Sequence, residues 1–388
     1  MATTVFDVEA ARARFSSLRS GFAFLDAPGG TQVPDEVGAA IAAALRDASG
    51  NLGAPYATGR AVEAILEGAR EDAARFLGAT PAEIGFGMNM TTLNFALTRA
   101  AGRDFAPGDE ILTTELDHDG GVAPWVELAA DRGLTVHIAA ATDDLTVDYD
   151  DLERKLSDRT RVVAFALASN ATGSIADAKR ICRLAREAGA LSWIDAVHYA
   201  AHEPIDVAEL GCDVLLCSPY KFCGPHLGIG YTRAEAAERW RPYKARPSAS
   251  DPLGRRFETG TLPYELLAGF RATIAYLDSL GGMEVLRDYE RRLGERLLSS
   301  LPDNVRLYGP ELDGRVPTFL LNVDGVDAKT AAHALGERGI GVWYADSWYC
   351  VGLAERLPPL SLRVGLIHYN TYGEVDRLVA ELAAFASG

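Results

Sequence analysis

Short apolar runs without polar alternation recur through residues 22–271, and each is followed by a stretch with helical spacing. The runs are Gly85–Met88, Glu110–Thr114, Thr135–Ala139, Arg161–Leu167, Leu191–Ile194, Val214–Ser218 and Gly228–Tyr231. A strand wetted on one face alternates polar and apolar residues. One that is apolar throughout is covered on both faces, which predicts a mostly parallel sheet between layers of helix. The intervening stretches fit that layer: Ala61–Leu77 sets Ile65, Ala69, Ala73 and Phe76 on one face, and Ala176–Gly189 opposes Ile181, Leu184 and Ala185 to a basic face. Thr80-Pro81-Ala82-Glu83 reads as a capping box with proline at the first helical position. Past Arg271 the pattern changes. Helices are expected at Arg271–Leu280, Glu284–Ser300, Asp327–Arg338 (capped by Asp327) and Tyr372–Ala386, with strands at Thr318–Val323, Gly341–Trp343 and Leu362–Leu366. The chain of 388 residues thus divides into an N-terminal segment 1–20, a large α/β domain 21–271 and a smaller α+β domain 272–388.

Charge narrows the function. Lys and Arg number 38 against 54 Asp and Glu, a formal −16, so neither nucleic acid nor an anionic membrane is expected as a partner. No run approaches the ~18–20 apolar residues of a membrane span. The start MATTVFDVEAARARF lacks the basic and apolar regions of a signal peptide. Five cysteines, an odd number without framework spacing, point to the reducing cytoplasm. Neither CxxC nor HExxH occurs, so no metal site is expected.

The chemistry concentrates at strand ends. In Asp213–Pro225, DVLLCSPYKFCGP, an apolar strand runs into Lys221, and 26 residues upstream LSWID ends in Asp195. A surface lysine just past a strand is the ordinary alternative. A carboxylate at the carboxyl end of a central strand, however, lies where open α/β sheets bind ligands. A third element, Gly87–Asn94, passes from strand to helix through Thr91 and Thr92. Free N–H groups and hydroxyls at a helix start suit a phosphate, although threonine also caps helices without any ligand. A lysine for a Schiff base, an aspartate for a pyridinium nitrogen and a phosphate nest are the parts that pyridoxal 5'-phosphate (PLP) requires.

The ordered segments LDAPGGTQVP (25–34), LDHDGGVAPW (116–125), SNATG (169–173), IDAVHYAAH (194–202), CSPYKFCGPHLG (217–228), FETGTLPYELLAG (257–269) and LRVGLIHYNT (362–371) resemble the class V aminotransferase / cysteine desulfurase-like family of fold-type I PLP enzymes. The resemblance implies that Lys221 forms the Schiff base and moves the α-proton, that Asp195 pairs with the pyridinium nitrogen, and that His118 stacks on the ring. It implies polar contacts to the phenolic oxygen from His198 (desulfurases usually carry Gln there) and Asn170. Thr91, Thr92, Ser218 and Tyr220, where desulfurases commonly show His, match phosphate contacts. Thr261, beside Gly260, matches a loop that reaches the neighbouring subunit's phosphate, hence a homodimer with shared active sites. Arg363 matches the arginine that grips the substrate carboxylate, with an edge-strand arginine as its plain alternative.

One departure matters. Desulfurases carry a mobile thiol in a loop before that arginine. Here the loop reads YADSWYCVGLAERLPPLSLR, with Trp348 near the expected offset and Cys350 two residues on. Trp348 is therefore a candidate substrate contact, and Cys350 is expected to lack a chemical role. Cys217 and Cys223 are expected to pack as small hydrophobes. The expected function is cleavage of the Cβ–S bond of cysteine or an S-substituted cysteine by β-elimination, through external aldimine and quinonoid. Transamination, epimerisation and decarboxylating oxidative deamination remain open on the same cofactor, as does a catalytically idle binding protein. A dinucleotide oxidoreductase is set aside because no GxGxxG joins a first strand to a helix.

Overall fold

A computed structural model describes residues 6–245, 250–346 and 349–385. The first strand, β1 (Ala23–Phe24), leaves the N-terminal region to pair far downstream. The apolar runs become β2 (Ile84–Gly87), β3 (Glu110–Thr114), β4 (Thr135–Ala139), β5 (Thr160–Ala166), β6 (Leu191–Asp195), β7 (Val214–Cys217) and β8 (Gly228–Thr232). They form one seven-stranded sheet in the order β2-β8-β7-β6-β5-β3-β4. β4, β3, β5, β6 and β7 are mutually parallel, whereas β8 runs antiparallel to both its neighbours.

Burial shows why the runs carry no alternation. Val162 and Ala164 of β5 face Leu93, Leu97 and Trp125 from the helices Met90–Ala101 and Asp119–Arg132. Val163 and Phe165 face the opposite, larger core. With both pleat directions filled, most positions are apolar. The edge strand β4 is the exception, with Ile138 44% exposed.

The C-terminal part contributes β9 (Val305–Tyr308), β10 (Thr318–Val323), β11 (Ile340–Gly341), β12 (Trp343–Ala345) and β13 (Ser361–Gly365). Four of these form an antiparallel sheet, β12-β13-β10-β9, while β11 pairs in parallel with β1. The run expected as one strand at Gly341–Trp343 is therefore divided between two sheets. Asp327 caps the helix Ala328–Glu337 as expected, accepting from the Thr330 amide at 3.0 Å. The helix expected from Arg271 starts earlier and spans Tyr264–Ser279. Gly269, which reads as a helix breaker, lies where this helix crosses Asp35–Asp47. A Cβ there would sit 2.7 Å from Ile41 Cγ1, so close packing between helices demands glycine. Thr80–Glu83 begins only a single 3-10 turn, Pro81–Glu83, because β2 follows at once.

Candidate active site

Strands β5, β6 and β7 are parallel, so their carboxyl ends open on one sheet edge. Asp195 is the last residue of β6. β7 stops at Cys217, and Pro219 opens the 3-10 turn Pro219–Lys221, which carries Lys221 into the interior. A cavity of about 520 Å³ lies there. Thr91, His118, Asn170, Asp195, His198, Ser218, Tyr220, Lys221 and Arg363 all border it.

Among the described residues, two candidates do not join this group. Thr92 turns its hydroxyl back to the Asn89 carbonyl at 3.2 Å, while its amide donates to the Asn89 side chain at 2.8 Å. It thus serves the start of the helix Met90–Ala101, and Thr91 and Asn89 face the cavity instead. Gly228 on β8 permits this placement, since a Cβ there would come within 2.5 Å of the Asn89 carbonyl. Thr261 is exposed in the loop before Tyr264–Ser279 and does not border the cavity. Trp348 lies outside the described residues.

The charges in the cavity are set by burial. Lys221 donates to the Pro28 carbonyl, and its nitrogen lies 4.4 Å from the Tyr220 ring centroid. Burial first, then the Arg363 cation, brings its amine down to about 7, although Asp26 and Asp195 pull the other way. Asp195 is pushed up to about 7 by burial. The Val197 amide, donating at 2.9 Å, offsets only part of that. His118 caps the helix Asp119–Arg132, its Nδ1 accepting from the Gly120 amide at 2.9 Å. Burial, then Lys221 and Arg363, lowers it to about 4, so the ring is neutral and Nε2 carries its hydrogen. The Tyr349 ring stacks on it, with centroids 5.4 Å apart. His198 bonds Thr318 through Nε2 at 2.9 Å, while its buried Nδ1 has no partner among the described residues.

Arg363 sits on β13, which lies between β12 and β10, so it is not an edge residue. Its Nε and Nη2 each lie 3.0 Å from Asp26 Oδ1, and Nη1 donates to the Asn170 carbonyl at 3.1 Å. Asp26 was within a recognised motif but had no expected role. Its partner is 337 residues away, a separation that leaves no local trace. Pro28 at the cavity is likewise a contact without a sequence signal, whereas Trp343 and Tyr349 belong to a loop whose aromatic clustering is visible in the sequence. All five cysteines are free and buried. Cys217 and Cys223 pack in the core, and burial pushes both thiols far up.

These residues fit a PLP group. A buried amine and a buried carboxyl, both shifted to about 7, border one cavity, His198 Nδ1 is buried without a partner among the described residues, and a helix N-terminus with Thr91 supplies an anion site.

Comparison with known proteins agrees with this architecture. Probable cysteine desulfurase 2 of Mycobacterium leprae (strain TN) is 33% identical over 407 residues, covering 97% of this chain and 96% of that protein. The apo structure of cysteine desulfurase from Thermococcus onnurineus NA1 matches with a TM-score of 0.92 at 25% identity, covering 100% of each chain. A C-DES lysine-to-alanine mutant, with glycine covalently linked to its PLP cofactor, shares the fold at a TM-score of 0.86 and 20% identity, covering 96% of this chain and 98% of that one. The family model described as Aminotransferase class-V matches residues 23–378, and the chain belongs to that family, alongside relatives of the cysteine desulfurase kind.

Proposed function

We propose that the chain is a PLP-dependent enzyme that cleaves the Cβ–S bond of cysteine or an S-substituted cysteine. The observation that carries this reading is the buried Lys221 amine, held near pH 7 at one cavity with the buried Asp195 carboxylate. Lys221 would hold the cofactor covalently, Asp195 would keep a proton on its ring nitrogen, and His118 would cover one ring face. Thr91, Ser218 and the helix start at Met90 would bind its phosphate. When bound, the group supplies an electron sink for the pair released at Cα. Arg363, oriented by Asp26, holds the substrate carboxylate. The Lys221 amine, poised near neutrality, takes the α-proton. His198 Nδ1 and the Asn170 amide provide neutral polar groups on the wall.

Trp343 and Tyr349 border the cavity and are 49% and 70% exposed, respectively. Two exposed aromatic rings at the mouth favour a substrate with an apolar group on sulfur over free cysteine. The test is a panel of L-cysteine and S-alkyl and S-aryl cysteines, with products identified by mass spectrometry. Release of pyruvate and thiol with no 2-oxo acid added as acceptor supports the reading. A strict need for an amino acceptor would replace it by transamination. We also infer a homodimer, because the family resemblance matches Thr261 to a loop that reaches the neighbouring subunit's phosphate, and Thr261 is exposed away from its own chain's cavity. Light scattering that returns a monomer at assay concentration would refute it.

A further inference from the structure

Cys350 directly follows the exposed Tyr349, yet its own side chain is fully buried. Its sulfur lies 3.0 Å from Asn170 Oδ1 and 3.7 Å from the Leu116 carbonyl. It does not border the cavity, whereas Asn170 does. Burial, reinforced by Asp117, pushes the thiol up to about 12, and a hydrogen bond with Ser169 only partly offsets this. At neutral pH the sulfur thus keeps its hydrogen. It can donate, but it lacks the two properties of a sulfur-capturing nucleophile, thiolate character and access.

A hydrogen-bonded amide oxygen fixes which way an asparagine points, leaving the NH₂ as the end that donates. Asn170 also takes Arg363 Nη1 on its backbone carbonyl. Cys350 therefore touches, through one residue, both the cavity wall and the carboxylate-binding arginine. The Tyr349 carbonyl accepts from the Asp119 amide at 2.6 Å, so the same loop end is fastened beside His118.

We propose that Cys350 is a positioning residue: its S–H holds the Asn170 amide in one orientation, and it receives no sulfur from the substrate. This rests on the reading that the cavity cleaves a Cβ–S bond, and it names the fate of the sulfur. The α-proton passes to Lys221. The Cβ–S bond breaks with its electron pair leaving on sulfur, which takes up a proton and departs as a free thiol or hydrogen sulfide. The remaining enamine is hydrolysed by water to a 2-oxo acid and ammonia. No oxidant or reductant is consumed.

The experiment compares wild type, Cys350→Ser and Cys350→Ala, with melting curves confirming folded protein. Serine keeps a donor and should stay within about twofold of wild type. Alanine removes a bond worth ~1 kcal/mol and should lose about fivefold to tenfold in kcat/KM, partly through a higher KM. The cofactor's visible absorbance as a function of pH should be unchanged in Cys350→Ser and shifted in Cys350→Ala. In cofactor-free wild type, Cys350 should resist iodoacetamide until denatured. After turnover of L-cysteine, no additional sulfur should appear on the Cys350 peptide. The proposal is overturned if serine is as impaired as alanine, if alanine matches wild type in both kinetics and spectrum, or if Cys350 gains sulfur. If the wild type binds the cofactor but releases sulfur from no substrate, the Cβ–S reading fails. The spectral comparison then still decides the positioning role.

Discussion

Asp195 and Lys221 are both brought near neutrality by burial, from opposite sides. The Asp195 carboxyl rises from 3.8 to about 7 and the Lys221 amine falls from 10.5 to about 7. For Asp195 the folded value lies above the unfolded one. The folded protein therefore retains a proton between pH 3.8 and 7 that the unfolded chain has lost, and stability falls as pH rises through that window. Without cofactor, Asp195→Asn should melt higher than wild type at pH 8, with the advantage gone at pH 4, while activity with cofactor drops by orders of magnitude. An Asp195→Asn protein that melts lower at pH 8 would contradict this. Lys221→Ala should abolish borohydride-fixable attachment of the coenzyme, read as intact mass, and turnover with it. These two residues are legible in the sequence because Asp195 ends an apolar strand and Lys221 follows closely after another, where a charge has no packing reason to be. Asp26 is not, because nothing near Phe24-Leu25-Asp26 announces an arginine on β13. Of the two adjacent threonines that open the helix, helical geometry turns only Thr91 toward the cavity, a distinction the sequence does not show.

At the scale of elements, the cavity depends on how one helix start is seated. The Asn89–Met90 turn lies against β8 at Gly228, where a methyl group would meet the Asn89 carbonyl. Gly228→Ala should cost ~1–3 kcal/mol of stability, read by urea denaturation, as overpacking does. It should also weaken coenzyme affinity more than tenfold by absorbance titration, since Thr91 moves with the turn. Unchanged affinity would show that this helix start does not hold the phosphate. The long apolar strands of the main sheet are legible because both faces are filled, so composition alone marks them. β1 and β11, of two residues each, have no period to read. The helix Tyr264–Ser279 begins before the expected Arg271, and Gly269 within it serves its packing against a neighbouring helix.

Across the whole molecule, the chain's beginning lies against its end. β1 pairs with β11, Asp26 bridges Gly365, and Arg12 meets Glu374 at 3.0 Å. Arg363 is buried and its ion pair with Asp26 is half-buried, so Asp26→Asn should destabilise the protein by ~1–3 kcal/mol in denaturant titrations, Arg363 keeping its bond to the Asn170 carbonyl. It should also raise KM for the amino acid more than it lowers kcat, because Arg363 loses its orientation; a KM unchanged beside intact stability would sever that link. The same pairing imposes an order on biosynthesis. The carboxylate at position 26 leaves the ribosome early and waits for almost the entire message to be translated before its guanidinium partner arrives. A nascent chain truncated before β13 holds Lys221, Asp26 and Asp195 but not Arg363, so the residue proposed to hold the substrate carboxylate would join them only in the last moments of synthesis.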